Sequence, residues 1–242
     1  MQWAIGALAA VMVGISKTGL AGLSALSVAA FAQVFPSKQA TGLVLPLLIL
    51  GDIMAVFIYR RHAQWRHLRK LFPWTAAGVV LGYFALGIVS DRNARYLIGA
   101  IIFSLAALSF WWRSRSAGVE ERALSAHWSV GACIGIAAGF ITLIANAAGP
   151  LMAMYFVAMR LPKLEYVGTA AVFFMLLNFF KVPFMVNLGL ITWDSLEFNL
   201  ILAPGVVLGV VAGRWLLARI NQSVFEQMVL VLCATAGILL IL

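Results

Sequence analysis

The sequence predicts an all-α, multi-pass transmembrane protein, and its composition is the first observation that predicts it. Of the 242 residues, 64% are hydrophobic and only 10% are charged, whereas a soluble domain carries roughly 25% charged residues. So few charges cannot supply the surface of a soluble globule, and the apolar excess must face lipid. The second observation is that the apolar runs are long and do not alternate with polar residues, which favours helices over a β-barrel.

Six apolar runs have the length of a membrane-spanning helix, which needs about 20 residues to cross the hydrocarbon core. Two of these runs are interrupted by a proline, Pro183 or Pro204. A membrane helix tolerates such a proline where neighbouring groups satisfy the carbonyl that it frees. The predicted helices are residues 39–59, 71–90, 94–112, 164–188, 196–218 and 223–242.

Two further apolar regions, residues 2–35 and 128–159, are too long for one span, and each breaks in the middle. The first breaks from Ser16 to Gly19 and the second from Asn146 to Pro150. Polar, glycine and proline residues suit irregular backbone, which survives at membrane depth only where protein or a water-filled cavity surrounds it. We therefore predict two helical hairpins with their tips inside the membrane, with a re-entrant loop as the other form that each break can take.

The two breaks lie half a chain apart, which indicates an internal repeat. The pentapeptide from Gly78 to Gly82 recurs from Gly205 to Gly209. Nearly the same offset relates further pairs, namely Pro36 and Pro162, Gly42 and Gly168, Asp52 and Asn178, Trp65 and Trp193, and Leu68 and Leu196. We predict two transmembrane repeats, residues 1–112 and 127–242, joined by a cytoplasmic linker at residues 113–126.

The distribution of Lys and Arg predicts that the two repeats have opposite orientations in the membrane. Cytoplasmic loops are rich in Lys and Arg, and five such residues lie between Arg60 and Lys70. If each broken region returns to its own side, all loop cations except Lys38, Arg92 and Arg95 fall inside. We therefore predict inverted repeats, each with a broken or hairpin first element followed by three to four helices, with about 8 to 10 membrane segments in all.

Inverted repeats with a broken helix at corresponding positions are typical of secondary transporters, whose substrate site lies near the membrane midplane. At each tip a half-helix begins inside the membrane, and its free N–H groups and positive dipole end favour an anion. Ser16 or Thr18 is the predicted cap of the first half-helix and Asn146 that of the second, with Pro150 in its first turn. The predicted substrate-binding residues are Ser16, Lys17, Thr18, Gly19, Gly22, Asn146, Ala147, Gly149, Asn178 and Lys181.

Three charged side chains, Lys17, Asp52 and Lys181, fall inside predicted spans, where ionisable groups are costly and mark functional sites. Two fixed cations suit a small oxyanion, a sulfonate or a carboxylate. Asp52 is the predicted coupling residue, a proton carrier, because its counterpart Asn178 cannot titrate. The structural alternatives are a permanent Lys17–Asp52 ion pair, a Lys181 side chain that extends outward along its helix, and an interhelical hydrogen bond of Asn178.

Other functional classes lack their motifs. The three histidines have neither HxxxH nor HExxH spacing, the two cysteines form no CxxC pair, and no phosphate-binding or dinucleotide fingerprint is present. We therefore expect no enzyme, no metal and no cofactor. The net charge of +9 comes from loop cations that signal topology rather than from a surface for nucleic acid. The expected partners are a small anionic substrate and the lipid bilayer, with a homodimer left open and no nucleic acid.

Two other functions compete with transport. A passive anion channel needs a continuous file of polar residues, whereas the polar residues here cluster at the two tips. A membrane scaffold or a subunit of a membrane enzyme is the other alternative.

The chain resembles the sulfite exporter TauE/SafE family, which is also described as a group of toluene-sulfonate uptake permeases. The resemblance rests first on the polar, glycine-rich hairpin from Gly14 to Gly22, on the basic loop after the second element and on the division into two halves. It rests also on two helix starts at which a proline precedes a glycine by six residues, namely Pro36 and Gly42, and Pro162 and Gly168. It covers essentially the whole chain. The resemblance implies a multi-pass protein that moves sulfur-containing anions, such as sulfite, sulfoacetate or other organosulfonates, across a bacterial inner membrane. Together with the inverted repeats, it predicts a secondary transporter that exports such anions by alternating access.

Overall fold

The computed structural model describes residues 2–18, 37–90 and 128–239, together with residues 23, 24, 27, 30, 31, 35, 93, 96 and 104. All regular structure in these residues is helical, which confirms the all-α class. The α-helices are α1 (Gln2–Lys17), α2 (Ser37–Tyr59), α3 (Trp65–Ile88), α4 (Trp128–Ala145), α5 (Gly149–Ala158), α6 (Lys163–Asn187), α7 (Trp193–Arg219) and α8 (Gln222–Leu239).

Four helices in the described part of the chain are long and apolar enough to cross a membrane. They are Lys38–His62, which includes a 3₁₀ turn at its end, Trp65–Ile88, Lys163–Asn187 and Trp193–Arg219. The shorter apolar helices include α1, α4 and α5. The chain is therefore a membrane protein with several apolar helices.

Five of the six predicted single helices are described, each near its predicted position. Pro183 and Pro204 lie inside continuous helices, as expected for membrane helices with interior prolines. The predicted helix at residues 94–112 and the predicted linker at residues 113–126 lie outside the described residues, apart from residues 96 and 104.

The largest difference from the predicted boundaries is the start of α3, which begins at Trp65 rather than at residue 71. Leu68 is already buried, while Arg66, Arg69 and Lys70 are exposed. The first turns of α3 are therefore amphipathic, with the basic side chains on one face. The basic stretch that was predicted to be a loop is partly helical for this reason.

The backbone breaks in both long apolar regions. α1 ends at Lys17, and α4 ends at Ala145, shortly before α5 begins at Gly149. Asn146 has a φ of 48°, in the left-handed region that asparagine adopts more readily than most residues. With 10 residues, α5 is about 15 Å long, half the thickness of the hydrocarbon core. The continuation of the first region beyond Thr18 is described only at isolated residues.

The helices pack in three main pairs. α1 packs along α7, α3 packs along α4, and α2 packs along α6. α2 also contacts α1 and α7, whereas α6 also contacts α3. The pair formed by α2 and α6 therefore lies between the other two pairs.

Glycines permit the closest approaches between these helices. A Cβ atom at Gly14 in α1 would collide with the carbonyl oxygen of Val206 in α7, and one at Gly139 in α4 would collide with that of Thr75 in α3. Such contacts are available only to a residue without a side chain. Both pairs are consequently held at backbone-to-backbone distance, as is common for helices in membranes.

The half-helix α5 lies inside the protein, with every residue from Gly149 to Phe156 buried. Phe156 makes edge-on ring contacts with Tyr166 and Phe173 of α6, and Tyr166 contacts Phe225 of α8 in the same way. Edge-to-face aromatic pairs each stabilise a core by roughly 0.5–1.5 kcal/mol beyond the burial of their area. The α5 segment is thereby fixed against α6 and α8, and its first turn faces the centre of the protein.

Candidate functional site

A small cavity lies where the end of α1 and the α4–α5 break meet the middle of α2 and α6. Its volume is about 30 Å³, which is room for roughly two to three water molecules. Its wall combines polar and apolar side chains, among them Ser16, Lys17, Asp52, Thr142, Asn146, Tyr166, Phe174 and Asn178, together with Gly149. Both backbone breaks therefore contribute to one site.

Lys17 and Asp52 form a buried ion pair on the cavity wall. The Nζ atom of Lys17 lies 2.8 Å from Oδ1 of Asp52, and the two side chains are 8% and 0% exposed. Lys17 also lies over the ring of Phe174, with Nζ 5.2 Å from the ring centroid, close enough for a cation–π interaction. The cation at the end of α1 is thus held at the cavity by a carboxylate of α2 and a ring of α6.

Asp52 and Lys181 are connected through Asn178. The Nδ2 atom of Asn178 donates to Oδ2 of Asp52 at 2.6 Å, and Oδ1 of Asn178 accepts from Nζ of Lys181 at 3.1 Å. Asn178 and Asp52 lie 126 positions apart, which is the offset of the predicted repeat. An interhelical hydrogen bond was one structural alternative for Asn178, and the bond to Asp52 is of this kind. Together with the bond to Lys181, it connects the two buried charged side chains.

Lys181 is fully buried, and its side chain does not reach the surface of the protein. Its Nζ atom also donates to Oδ1 of Asn146 at 2.5 Å, to the carbonyl oxygen of Thr142 at 3.1 Å and to the Thr142 hydroxyl at 3.2 Å. Lys181 itself is not among the residues of the cavity wall. It therefore lies outside the cavity wall and holds three wall residues in position by hydrogen bonds to Thr142, Asn146 and Asn178.

Asn146 does not cap α5, which corrects one expectation from the sequence. The residue before α5 is Ala148, and no side chain caps the helix. The two ends of the Asn146 amide are used elsewhere, because Oδ1 accepts from Lys181 and Nδ2 donates to the carbonyl oxygen of Thr41 at 2.7 Å. Asn146 therefore connects the hairpin break to α2 and α6 and leaves the first N–H groups of α5 without a side-chain cap.

The remaining predicted site residues have different positions. Ser16 and Thr18 donate their hydroxyl groups back to the carbonyl oxygens of Val13 and Ile15 in α1, and the half-helix that one of them is predicted to cap begins outside the described residues. Ala147 is buried, and Gly149 lies on the cavity wall. Gly19 and Gly22 lie outside the described residues.

Seven residues on the described cavity wall were not among those predicted from the sequence, namely Ser24, Leu48, Thr142, Tyr166, Ala170, Ala171 and Phe174. Thr142 lies one helical turn before Asn146 and therefore on the same side of the helix. A polar residue at this spacing in an apolar helix could have indicated that Thr142 belongs to the site. The two aromatic residues gave no comparable signal, because an aromatic side chain in a membrane helix is most often ordinary packing. In the described part of the chain, no group of three or more His, Cys, Asp or Glu side chains could hold a metal ion.

The chain was compared with known proteins. Residues 5–240 match the sequence profile of the sulfite exporter TauE/SafE family. No curated protein and no solved structure matches the chain. Because the match covers nearly the whole chain, the protein belongs to the sulfite exporter TauE/SafE family, a family of membrane transporters and not of enzymes.

Proposed function

We propose that the protein is a secondary transporter that exports small sulfur-containing anions, such as sulfite, sulfoacetate or other organosulfonates, across the bacterial inner membrane. The observation that carries this proposal is the position of Lys17, a nearly buried cation on the wall of a small cavity between the two backbone breaks. An ionisable group at such a place in a membrane protein is usually functional.

Three groups on the cavity wall are suited to bind an oxyanion. Lys17 supplies a charge-assisted hydrogen bond, which is stronger than one between neutral groups. The backbone N–H of Gly149 belongs to the first turn of α5 and has no partner within that helix, where the helix dipole also favours negative charge. The Thr142 oxygen accepts from Lys181, so its own hydroxyl hydrogen is left for a second partner.

The contacts between helices support two inverted repeats, which we assign to residues 1–112 and 127–242, with residues 113–126 as a cytoplasmic linker. In this assignment α1, α2 and α3 correspond to α4, α6 and α7. The first helix of each repeat packs along the third helix of the other repeat, and the two second helices pack along each other. A two-fold axis through the contact of α2 and α6 would produce this arrangement.

Alternating access follows from that arrangement. Each broken helix belongs to one repeat but packs along a long helix of the other, so α1 with α7 and α3 with α4 form two units on either side of α2 and α6. Rocking of these units about the central pair would open the cavity first to one side of the membrane and then to the other, as in other transporters with inverted repeats.

Asp52 is the proposed coupling residue. It holds Lys17 by an ion pair at 2.8 Å, and an anion that binds Lys17 competes with that pair. Release of the carboxylate lets it take up a proton, so that movement of the anion and of a proton become linked. Asn178, the corresponding residue in the other repeat, has no such function.

Substitution of Lys17 tests the site. Lys17→Ala should fold but bind sulfite about 10- to 150-fold more weakly, because a charge-assisted contact contributes roughly 1.5–3 kcal/mol. Binding can be measured in detergent from the stabilisation by sulfite against heat, which rises with ligand concentration relative to Kd. Lys70→Ala is the matched control, since Lys70 is exposed at the start of α3. Unchanged sulfite affinity in Lys17→Ala would refute the assignment.

A further inference from the structure

In the part of the chain that the structure describes, the ionisable groups around the cavity contain one positive charge more than negative charges. Lys17 and Asp52 form the ion pair on the wall, and Lys181 is fully buried behind it. All oxygens that accept from Lys181 belong to uncharged groups of Thr142, Asn146 and Asn178. Tyr166, the remaining ionisable side chain on the described wall, carries no charge as a phenol. The site therefore has two cations and one carboxylate.

The net charge of the site stays the same if a proton moves from Lys181 to Asp52. Asn178 joins the carboxylate of Asp52 to the ammonium group of Lys181 by two hydrogen bonds. If Lys181 loses a proton and Asp52 gains one, the first group loses a positive charge and the second loses a negative charge. The sum stays at one positive charge in both cases.

A buried net charge is costly because the protein interior and the surrounding lipid solvate it poorly. One monovalent anion in the cavity brings the sum to zero, whereas a divalent anion leaves one uncompensated negative charge.

We propose that the site selects a small anion with a single negative charge over a divalent anion of the same shape. This inference rests on the proposed function and narrows it: hydrogen sulfite and small monosulfonates are substrates, and dianions such as sulfoacetate are disfavoured. Asp52 and Lys181 determine this selectivity, because together with Lys17 they fix the charge of the empty site.

Methanesulfonate and sulfate test the proposal, since both are tetrahedral at sulfur and similar in size but carry one and two negative charges. The Kd of each anion is measured with the purified protein at one ionic strength, maintained with sodium gluconate, whose anion is too large for the cavity. We expect methanesulfonate to bind at least about tenfold more tightly than sulfate. Equal affinities, or tighter binding of sulfate, would overturn the selectivity while leaving an anion site in place. Binding of neither anion would overturn this inference, and the proposed function would then be overturned as well only if sulfite also failed to bind.

Two variants change the charge of the site without a large change in side-chain volume. Both oxygens of Asp52 are paired with hydrogen-bond donors, Oδ1 with Lys17 and Oδ2 with Asn178, which is the arrangement of an ionised carboxylate. Asp52→Asn therefore raises the excess to two positive charges, and we expect it to bind sulfate more tightly than methanesulfonate. Retention of the wild-type preference in this variant would contradict the proposal. If Asp52→Asn does not fold, Asn178→Asp serves instead, because it brings the sum to zero. We expect it to weaken binding of both anions, of sulfate more than of methanesulfonate, and a gain in sulfate affinity would contradict the proposal.

Discussion

The contacts of α1 with α7 resemble those of α4 with α3. Gly14 meets the backbone of Val206 in the first pair, and Gly139 meets that of Thr75 in the second. The two middle helices are also related, because a Cβ atom at Gly42 in α2 would collide with the backbone of Leu190, and one at Gly168 in α6 would collide with the carbonyl oxygen of Tyr59 and approach the backbone of Ala63. Each middle helix therefore begins against the chain that follows the other middle helix.

Two lysines extend this correspondence. Lys38, at the start of α2, donates to the carbonyl oxygen of Val89 at the end of α3. Lys163, at the start of α6, donates to the carbonyl oxygens of Leu217 and Ile220 at the end of α7. A cation at the carboxyl end of a helix satisfies carbonyl groups that have no partner within the helix and interacts favourably with the dipole. The same stabilising contact thus occurs once in each proposed repeat.

The correspondence ends at the cavity. Asp52 in α2 corresponds to Asn178 in α6, and Lys17, at the offset that relates these two, corresponds to the buried Leu143. Lys181 has Ala55 at its corresponding position. The helix contacts are duplicated whereas the charges are not. This difference suggests that packing requires both repeats to be alike and that the binding and coupling of an anion require them to differ.

The largest effect is expected from breaking the duplicated glycine contacts. Gly14→Ala and Gly139→Ala should each destabilise the protein by at least about 3 kcal/mol, because the new Cβ meets backbone that cannot move without separating the helices. For a chain of this length, that loss lowers the melting temperature in detergent by roughly 6–12 °C.

Gly87→Ala and Gly131→Ala are the matched controls for this experiment. The nearest atom to a Cβ at these positions lies 3.7 Å and 3.5 Å away, at ordinary contact distance. Alanine should leave the melting temperature unchanged or raise it, since it favours a helix over glycine. If Gly14→Ala and Gly139→Ala behave like the controls, the close contacts do not hold the two repeats together.

Asp52→Asn sharpens the comparison at the cavity, because it gives the first repeat the residue that the second repeat has. Under the proposed coupling the variant should retain anion exchange in proteoliposomes and lose the acceleration produced by a pH gradient. Asp194→Asn, the same change at an exposed residue, should keep both properties. Gradient-driven transport at the wild-type rate in Asp52→Asn would exclude the coupling function, and loss of the folded protein would support a purely structural ion pair.

The proposed opposite orientation of the two repeats predicts a pattern of accessibility. In a background with Cys133 and Cys233 replaced by alanine, single cysteines at Arg61 and Arg219 should be protected in intact cells from a thiol reagent that does not cross membranes. A cysteine at Asp194 should react. All three positions are exposed on the protein. If the cysteine at position 194 reacts only after the cells are opened, the repeats are not inverted.

The backbone breaks and the buried charges could be predicted from the sequence. Lys17, Asp52 and Lys181 stand out because charges are rare in apolar helices, and polar, glycine and proline residues from Asn146 to Pro150 interrupt an otherwise helical run. These signals are local, so that no knowledge of packing is needed to detect them.

The connections between those residues could not be predicted. Lys181 was expected at the anion itself, but it binds Thr142 and Asn146 and lies behind the wall. Asn146 was expected to cap α5, but its amide joins α2 and α6 instead. Both outcomes depend on which faces of α4 and α6 meet, and that is decided by the packing of helices distant in sequence.

Counterflow of radiolabelled sulfite into proteoliposomes under anaerobic conditions tests the proposed transport most directly. We predict uptake that saturates with external sulfite, that is accelerated by unlabelled sulfite inside the vesicles, and that is lost in Lys17→Ala. A carrier with one site that faces the two sides in turn requires both saturation and acceleration. An ohmic sulfite current that neither saturates nor responds to internal sulfite would contradict the account and identify the protein as a passive channel.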